Sequence, residues 1–138
     1  MKIRILLLSL VITLQGCATT SPYCAVPHEE SADAVTLVIY RPDASYGMLY
    51  STPMSIDSCR IRNLSNNSYL IHKLPAGNHR IAAERRALDV TFTGIVDQNF
   101  TAGNTYFLHF FIRPGTSYFS IVSKEQAIQA MPKLDKKF

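Results

Sequence analysis

The sequence predicts a mainly β protein, an antiparallel sandwich of seven to eight strands that ends in one short helix. Short segments rich in β-branched and aromatic residues recur along the 138-residue chain, and such residues favour strands. Turn-forming residues, chiefly Pro, Gly and Asn, separate these segments at close spacing. Only the segment after residue 122 carries a helix-capping signal and the apolar spacing of a helix. This combination is typical of a β-sandwich that forms one domain.

The first 16 residues differ in character from the rest of the chain and predict an export signal. Lys2 and Arg4 give a basic start, and residues 5–14 are almost wholly apolar. The run is too short for a transmembrane helix, which needs about 20 apolar residues. It fits the hydrophobic region of a secretory signal peptide, which is removed after export.

The signal ends in Leu14-Gln15-Gly16-Cys17, which resembles the lipobox of bacterial lipoproteins. In that motif an aliphatic residue stands three places before the cysteine and a small residue stands just before it. Gln15 replaces the small residue that is usual between them. The resemblance implies cleavage before Cys17 and lipidation of its thiol. The alternative is an ordinary signal peptide followed by an incidental cysteine.

Ala18 bears on the destination of the protein. In lipoproteins of Gram-negative bacteria an aspartate after the lipidated cysteine typically retains the protein in the inner membrane. Ala18 therefore implies a lipid-anchored protein in the outer membrane that faces the periplasm. Several acyl chains on Cys17 would hold it stably, whereas a single chain binds only marginally. The chain divides into a signal peptide at 1–16, a lipidated tether at 17–33 and a β-sandwich domain at 34–138.

Charge and compartment argue against a nucleic-acid partner. The precursor carries a formal net charge of +4, and the loss of Lys2 and Arg4 lowers this charge by two. So small an excess does not produce the electrostatic field of a nucleic-acid-binding protein. Besides the membrane, the expected partner is an envelope protein or the cell wall.

Cys24 and Cys59 are the two cysteines that remain once Cys17 is lipidated. Disulfides persist in exported proteins. A bridge between these two residues would contribute about 3–4 kcal/mol by restricting the unfolded chain. Two free thiols are the alternative, and two cysteines alone make a poor metal site.

Strands are predicted over most of the domain. Residues 35–40 and 105–113 are apolar on both faces, which predicts central strands. Pro53 cannot donate a ladder hydrogen bond, so the strand at 48–56 is predicted to lie at an edge or to be broken there. Further strands are predicted at 59–64, at 88–100 with a bulge at Gly94, and at 118–122.

Residues 69–84 predict a β-hairpin, because two apolar runs flank the turn-forming sequence Pro75-Ala76-Gly77-Asn78. Near the C-terminus, Ser123 and Gln126 occupy the two positions of a capping box. A short helix is therefore predicted, which Pro132 ends and a basic tail at 133–138 follows. Its apolar side is formed by Ala127, Ile128 and Met131.

Short motifs spread from residue 34 to residue 134 carry a family resemblance. They are Val38-Ile39-Tyr40-Arg41-Pro42, Tyr69 with Leu74-Pro75-Ala76-Gly77-Asn78-His79, Tyr106-Phe107-Leu108 and Ile121-Val122-Ser123-Lys124-Glu125-Gln126-Ala127. These stretches resemble small bacterial lipoproteins known only as a domain of unknown function. The resemblance implies a prealbumin-like, carboxypeptidase-regulatory-like β-sandwich without catalytic residues. Where that family usually turns through Asp-Gly, this chain has Asp57-Ser58-Cys59, which favours the disulfide.

No motif of known catalytic chemistry is recognisable, so we predict a protein that is not an enzyme and needs no metal or cofactor. His72 and His109 could face each other across a sheet and bind a metal. Partly buried histidines with hydrogen-bond partners are the preferred interpretation. A nucleophilic pair of Cys59 with a histidine is a weaker alternative. The other two histidines are His28, in the tether, and His79.

Two surfaces are candidates for binding. A basic face could contact anionic lipid A or peptidoglycan carboxylates, although a merely solvated face is the preferred interpretation. Its members would be Arg60, Arg62, Arg80, Arg85 and Arg86. Tyr46 and Tyr50, in a loop at 43–50, are candidates for a contact patch.

The leading functional hypothesis is a non-enzymatic binding or structural module anchored in the outer membrane. The first alternative is an inhibitor or immunity protein of an envelope hydrolase, such as a lysozyme, with the loop at 43–50 as its plug. The second alternative is a subunit of an envelope secretion complex. An enzyme comes last, because the sequence offers no catalytic set.

Overall fold

The computed structural model describes residues 31–87 and 90–138, which form eight strands in two sheets and one short helix. The strands are β1 (Val35–Arg41), β2 (Thr52–Ile56), β3 (Cys59–Leu64), β4 (Ser68–Leu74), β5 (Gly77–Ala87), β6 (Val90–Phe100), β7 (Thr105–Arg113) and β8 (Thr116–Val122). Helix α1 (Lys124–Ala130) follows β8, and a 3₁₀ turn (Pro132–Leu134) follows α1. No helix within these two ranges is both long and apolar enough to cross a membrane.

The predicted fold class is confirmed, with one difference in strand direction. One sheet has the order β4-β1-β7-β8 and the other β3-β2-β5-β6. All neighbouring strands are antiparallel except β1 and β7, which run parallel with Thr36 opposite Thr105. The long excursion of the chain through the other sheet supplies the crossover that a parallel pair requires. The apolar pattern of a strand shows which faces are buried but not the direction of the strand relative to its neighbour. The sequence therefore contains no sign of the parallel pair, and an antiparallel sandwich was predicted.

The core lies between the two sheets. Residues that alternate along β1, Val35, Leu37 and Ile39, are fully buried there, as period-two alternation requires. The opposite sheet contributes the side chains of Met54, Ile56, Ile81, Ala83 and Phe100, and β7 contributes Leu108, Phe110 and Ile112. The prediction that β1 and β7 are central strands is confirmed.

Helix α1 covers part of the outer face of the β4-β1-β7-β8 sheet. Its buried residue Ala127 packs in a second cluster with Met131 and Leu134 against Val38, Tyr40 and Phe107. The predicted capping box is present, because the Ser123 hydroxyl accepts from the Gln126 N–H and the Gln126 side chain accepts from the Ser123 N–H. These contacts explain why both faces of β1 and β7 are apolar.

The predicted hairpin at 69–84 is wrong. The turn after Leu74 is real, but β4 pairs with β1 in one sheet while β5 pairs with β2 and β6 in the other. The turn therefore passes the chain from one sheet to the other. Turn-forming residues show where a chain reverses, and they do not specify the strand with which it then pairs.

Two smaller predictions about strands need correction. β2 lies between β3 and β5, so the predicted edge position is wrong; the alternative, a break at Pro53, holds on one side only, because β5 pairs with Met54–Ile56 while β3 pairs through Pro53. Gly94 does not form a bulge, since the β5–β6 register runs through it without a shift. A Cβ at Gly94 would lie 3.3 Å from the backbone of Ser117 on β8, so this glycine permits the edges of the two sheets to approach.

The start and end of β1 define the two ends of the sandwich. Val35 lies opposite Leu74 at what we call the proximal end, and Arg41 lies opposite Ser68 at the distal end. A seven-residue strand separates these ends by about 20 Å. The chain reaches β1 from its N-terminal side at the proximal end and leaves it at the distal end.

Candidate functional site

The loop between β1 and β2, residues 42–51, exposes apolar side chains at the distal end. Leu49 is 91% exposed and Met48 57%, and the rings of Tyr46 and Tyr50 are nearly half exposed. The sequence predicted a strand from residue 48, but β2 begins only at Thr52. Met48 and Leu49 are thus more exposed than Tyr46 and Tyr50, the two residues predicted from sequence as a contact patch. We call the side chains of these four residues the apolar tip.

Arg41, at the end of β1, fixes the shape of this loop. Its side chain points into the sandwich and is only 2% exposed. The guanidinium donates to the carbonyl oxygen of Tyr50 at 2.9 Å and to that of Gly47 at 2.6 Å. Hydrogen bonds to acceptors stabilise a charged donor in such a buried position, so these two contacts tie the loop backbone to Arg41.

Gly47 adopts the left-handed conformation that the loop requires. Its φ is +73°, a region that glycine occupies at little cost. A Cβ there would lie 3.2 Å from the Arg41 guanidinium and 3.4 Å from the Ile112 side chain. The turn is therefore packed closely against the ends of β1 and β7.

Asn66, in the turn between β3 and β4, holds the other side of the loop. Its amide oxygen accepts from the Ala44 N–H at 3.1 Å, and its amide nitrogen donates to the Asp43 carboxylate at 2.6 Å. The Ser65 hydroxyl lies 3.2 Å from the hydroxyl of Ser51, the last residue of the loop. The backbone is thus tied down at its start, middle and end, while the apolar tip projects into solvent.

A polar cluster occupies the proximal end. His79 Nδ1 lies 2.6 Å from the Asp57 carboxylate, and His79 Nε2 lies 2.9 Å from the carbonyl oxygen of Pro75. The second oxygen of Asp57 accepts from the Arg80 N–H at 2.9 Å. Although burial raises the pKa of the Asp57 carboxyl, its hydrogen bonds with His79 and Arg80 hold the net pKa below the ordinary value.

This polar cluster has the contacts of a structural clamp rather than of a catalytic base. Both ring nitrogens of His79 face oxygen acceptors, so Nε2 is not presented to a substrate. Arg80 forms a two-point contact with Asp97 at 2.8 and 3.0 Å, and this contact lowers the pKa of the Asp97 carboxyl. The cluster lines a polar cleft of about 320 Å³ and joins the β2–β3 turn to the start of β5.

The structure does not bring His72 and His109 together. His72 lies between Leu70 and Leu74 on the inner face of β4, whereas His109 stacks on Tyr40 on the outer face of the same sheet. In the part of the chain that the structure describes, no group of three or more His, Cys, Asp or Glu residues could hold a metal ion. His28 lies outside the described residues.

His109 belongs to a stack of aromatic rings on that outer face. Its ring centroid lies 4.9 Å from that of Tyr40 and 3.5 Å from that of Phe111, and Phe111 stacks on Tyr118 at 4.7 Å. Burial lowers the pKa of His109 from 6.5 to about 4. The imidazole is therefore neutral at pH 7 and serves as one more flat ring in the stack.

The Cys59 sulfur is disulfide-bonded, and its partner lies outside the described residues. The pairing with Cys24 therefore stays a prediction. A disulfide-bonded sulfur is not a nucleophile, so the alternative of a catalytic Cys59–histidine pair has no support. Cys59 begins β3 directly after Asp57 and Ser58, both of which have positive φ angles.

The structure describes the side chains of only some members of the predicted basic face. Arg60 donates to Asn63 at 2.7 Å, and Arg80 is paired with Asp97, so two of its members contact side-chain acceptors of their own surface. The side chains of Arg85 and Arg86 lie outside the described part of the chain. The solvated face preferred from sequence remains the simpler interpretation.

The residues predicted for the signal and anchor, Leu14, Gln15, Gly16 and Cys17, lie outside the described ranges. Sequence reasoning missed Arg41 and Asn66 as the residues that shape the loop. The available signal for Arg41 was a single charge that follows directly on a strand without other charges. Neither a family model, nor a curated protein, nor a solved structure matches this chain.

Proposed function

We propose that the protein is a non-enzymatic binding module, anchored in the outer membrane by a lipid on Cys17 and facing the periplasm. The β1–β2 loop at 42–51 is its contact element. The observation that carries this proposal is a loop backbone held by Arg41 and Asn66 under an apolar tip that includes the 91% exposed Leu49. Exposed apolar patches on stable domains mark sites of interaction.

The preformed shape of the loop supports a binding role. A loop that is already ordered loses little conformational entropy when a partner covers it, so more of the contact energy appears as affinity. Its two tyrosines supply large contact area with few rotatable bonds. Its backbone carbonyls at Gly47 and Tyr50 are occupied by Arg41, which leaves the apolar side chains to make the contact.

The test of this proposal is cross-linking in intact cells that express the full chain. Leu49→Asp should remove the dominant cross-linked species, because the charge cannot be desolvated in an apolar contact. Ile95→Asp, at a residue 48% exposed on β6, is the matched control and should leave that species unchanged. If both variants lose the cross-linked species equally, or if neither variant loses it, the loop is not the contact element.

The anchor is tested separately by metabolic labelling with a fatty-acid analogue. The wild-type chain should carry the label and fractionate with outer membranes. Cys17→Ser should carry none and should no longer fractionate with outer membranes. Label on the Cys17→Ser variant would contradict a lipid at this residue.

An inhibitor of an envelope hydrolase is the second candidate function. It is favoured by the same loop, because rigid protruding loops fit the concave active sites of hydrolases with little rearrangement. Purified domain should then slow peptidoglycan hydrolysis by a periplasmic lytic enzyme, and Leu49→Asp should abolish the effect. Unchanged hydrolysis across the cell's lytic enzymes would exclude this candidate and leave the more general binding role.

A further inference from the structure

Both ring nitrogens of His79 contact oxygen atoms that accept hydrogen bonds and have no proton to donate. Nδ1 lies 2.6 Å from the Asp57 carboxylate, and Nε2 lies 2.9 Å from the carbonyl oxygen of Pro75. A neutral imidazole has one N–H and would donate to only one of these oxygens, whereas the imidazolium ion has two N–H groups. In the neutral ring the other nitrogen would point its lone pair at an oxygen. The two contacts together therefore require the charged ring.

The Asp57 carboxyl is ionised in this arrangement, so it does not donate a proton to the ring. Its second oxygen accepts from the Arg80 N–H at 2.9 Å. Although burial raises the pKa of the Asp57 carboxyl, its hydrogen bonds hold the net pKa below the ordinary value. The 2.6 Å contact is at least as short as the usual separation of about 2.7–2.9 Å between a cationic N–H and a carboxylate. The geometry is thus that of a charge-assisted pair.

The other charged groups around the ring are paired with each other. Arg80 on β5 and Asp97 on β6 line the same cleft and are joined by contacts of 2.8 and 3.0 Å. The β4–β5 turn at 75–76 has no charged side chain, and the Phe100 ring, 6.2 Å from the imidazole between centroids, is apolar. The remaining lining side chains are amides, which do not titrate, and belong to Asn78, Gln98 and Asn99. Asp57 is therefore the charged partner of the ring in this cleft.

The His79 ring joins three parts of the proximal end. Asp57 belongs to the β2–β3 turn, Pro75 to the turn that passes the chain from one sheet to the other, and His79 to β5. When the ring loses a proton, Nδ1 keeps its N–H, because the hydrogen bond to the charged acceptor is the stronger one. Nε2 then presents a lone pair to the Pro75 carbonyl oxygen. The β4–β5 turn thereby loses its contact with the ring.

We infer that His79 is a pH-operated clamp, which holds the β4–β5 turn while its ring is charged and releases this turn when the ring becomes neutral. Histidine is the side chain that changes charge between about pH 5 and 8. A proton that the fold holds and unfolding releases adds stability that is present at low pH and is lost as the pH rises. The inference does not depend on the proposed function, because no residue of the clamp belongs to the β1–β2 loop.

The experiment follows the full-length protein, purified in mild detergent, from about pH 5 to about pH 8. Nitrogen NMR should show both ring nitrogens of His79 protonated at the lower pH and Nε2 without its proton at the higher pH. Hydrogen exchange of the amides at 76–79, corrected for the intrinsic effect of pH, should become at least about tenfold faster over this range. His79→Gln has no titrating ring, so its corrected exchange should change less than about twofold.

His109→Phe is the matched control, because burial lowers the pKa of His109 to about 4 and its ring stays neutral through this range. This variant should keep the wild-type response. A His79 ring with a single N–H at the lower pH would overturn the clamp, as would a pH response that survives in His79→Gln. Unchanged exchange at 76–79 while the ring loses its proton would do the same, since other contacts would then hold the turn. If His79→Gln does not fold, the nitrogen spectra and exchange of the wild type decide the question.

Discussion

The guanidinium of Arg41 donates to the carbonyl oxygen of Gly47 at 2.6 Å from a site that is almost fully buried. This contact joins the last residue of a central strand to the middle of the most exposed apolar segment in the described part of the chain. It makes the loop part of the rigid body of the sandwich. Variants at these two residues should therefore affect the loop in different, measurable ways.

Replacing Arg41 by methionine should loosen the loop while preserving much of the buried volume. Two charge-assisted hydrogen bonds to the carbonyl oxygens of Gly47 and Tyr50 are lost, and such bonds contribute about 1.5–3 kcal/mol each, while the Tyr50 N–H still donates to the Gly47 carbonyl. Hydrogen exchange of amides at 42–51 should become faster, and the midpoint of chemical denaturation should fall. Arg113→Met removes an exposed arginine from the same end, one that contacts the Tyr118 ring rather than the loop, and should leave exchange at 42–51 unchanged. Unchanged exchange in Arg41→Met would show that the loop is held by other contacts.

Replacing Gly47 by alanine should destabilise the protein more than the same change at Gly103. Both glycines have φ near +70°, and an alanine in this left-handed conformation lowers the stability of the fold by about 1–2 kcal/mol at either position. Only at Gly47 would the added Cβ also meet the Arg41 guanidinium at 3.2 Å, whereas Gly103 has open space around it. Denaturation of the two variants measures the difference, and equal losses of stability would contradict close packing at Gly47.

The stability of the fold should depend on pH through His109. Its pKa is lowered to about 4 in the folded protein by burial, against 6.5 in an unfolded chain. Between these values the unfolded state binds the proton and the folded state does not, so stability falls as pH drops from about 6.5 to about 4. Below about 4 both states are protonated and this dependence ends.

The measurement for His109 is the denaturation midpoint of wild type and His109→Phe across that range. Phenylalanine keeps a flat ring between Tyr40 and Phe111 and removes the titrating nitrogen. The wild-type curve should fall more steeply than that of the variant between pH 6.5 and about 4. Parallel curves would mean that His109 is protonated in the fold as readily as in the unfolded chain.

The predicted disulfide partner of Cys59 is Cys24. The intact mass of the exported protein should increase by two hydrogens on reduction, and Cys24→Ser should remove that increase. If the bridge is present, the variant should lose about 3–4 kcal/mol of stability, because the bridge no longer restricts the unfolded chain. Cys17→Ser is the matched control, and a reducible bond that survives Cys24→Ser would contradict this pairing.

The sequence predicted the elements of the fold better than their pairing. β-branched runs, turn residues and the Ser123 capping box act over a few residues, so strands and helix were recognised where local chemistry determines them. The turn at Pro75 was recognised too, but its role in passing the chain between sheets depends on contacts of β5 with β2 and β6. The parallel β1–β7 pair likewise depends on residues far apart in sequence.

The sequence indicated only part of the candidate site. Tyr46 and Tyr50 stood out as aromatic residues in a loop, whereas residues 48–50 resembled the start of a strand. The structure shows why that prediction failed, since Arg41 and Asn66 draw the backbone of 42–51 away from the sheet. A buried arginine that donates to carbonyl oxygens six and nine residues onward leaves no periodic signal.

The most direct test of the account compares oxidative footprinting of the apolar tip in intact cells with that in the purified protein. Met48 is the readout, because it is exposed and its sulfur oxidises readily. Phe138, exposed outside the loop, is the internal reference. The account predicts that Met48 is oxidised several-fold more slowly in cells, relative to Phe138, and that Leu49→Asp restores the rate of the purified protein. Equal relative oxidation of Met48 in both settings would contradict the loop as the contact element.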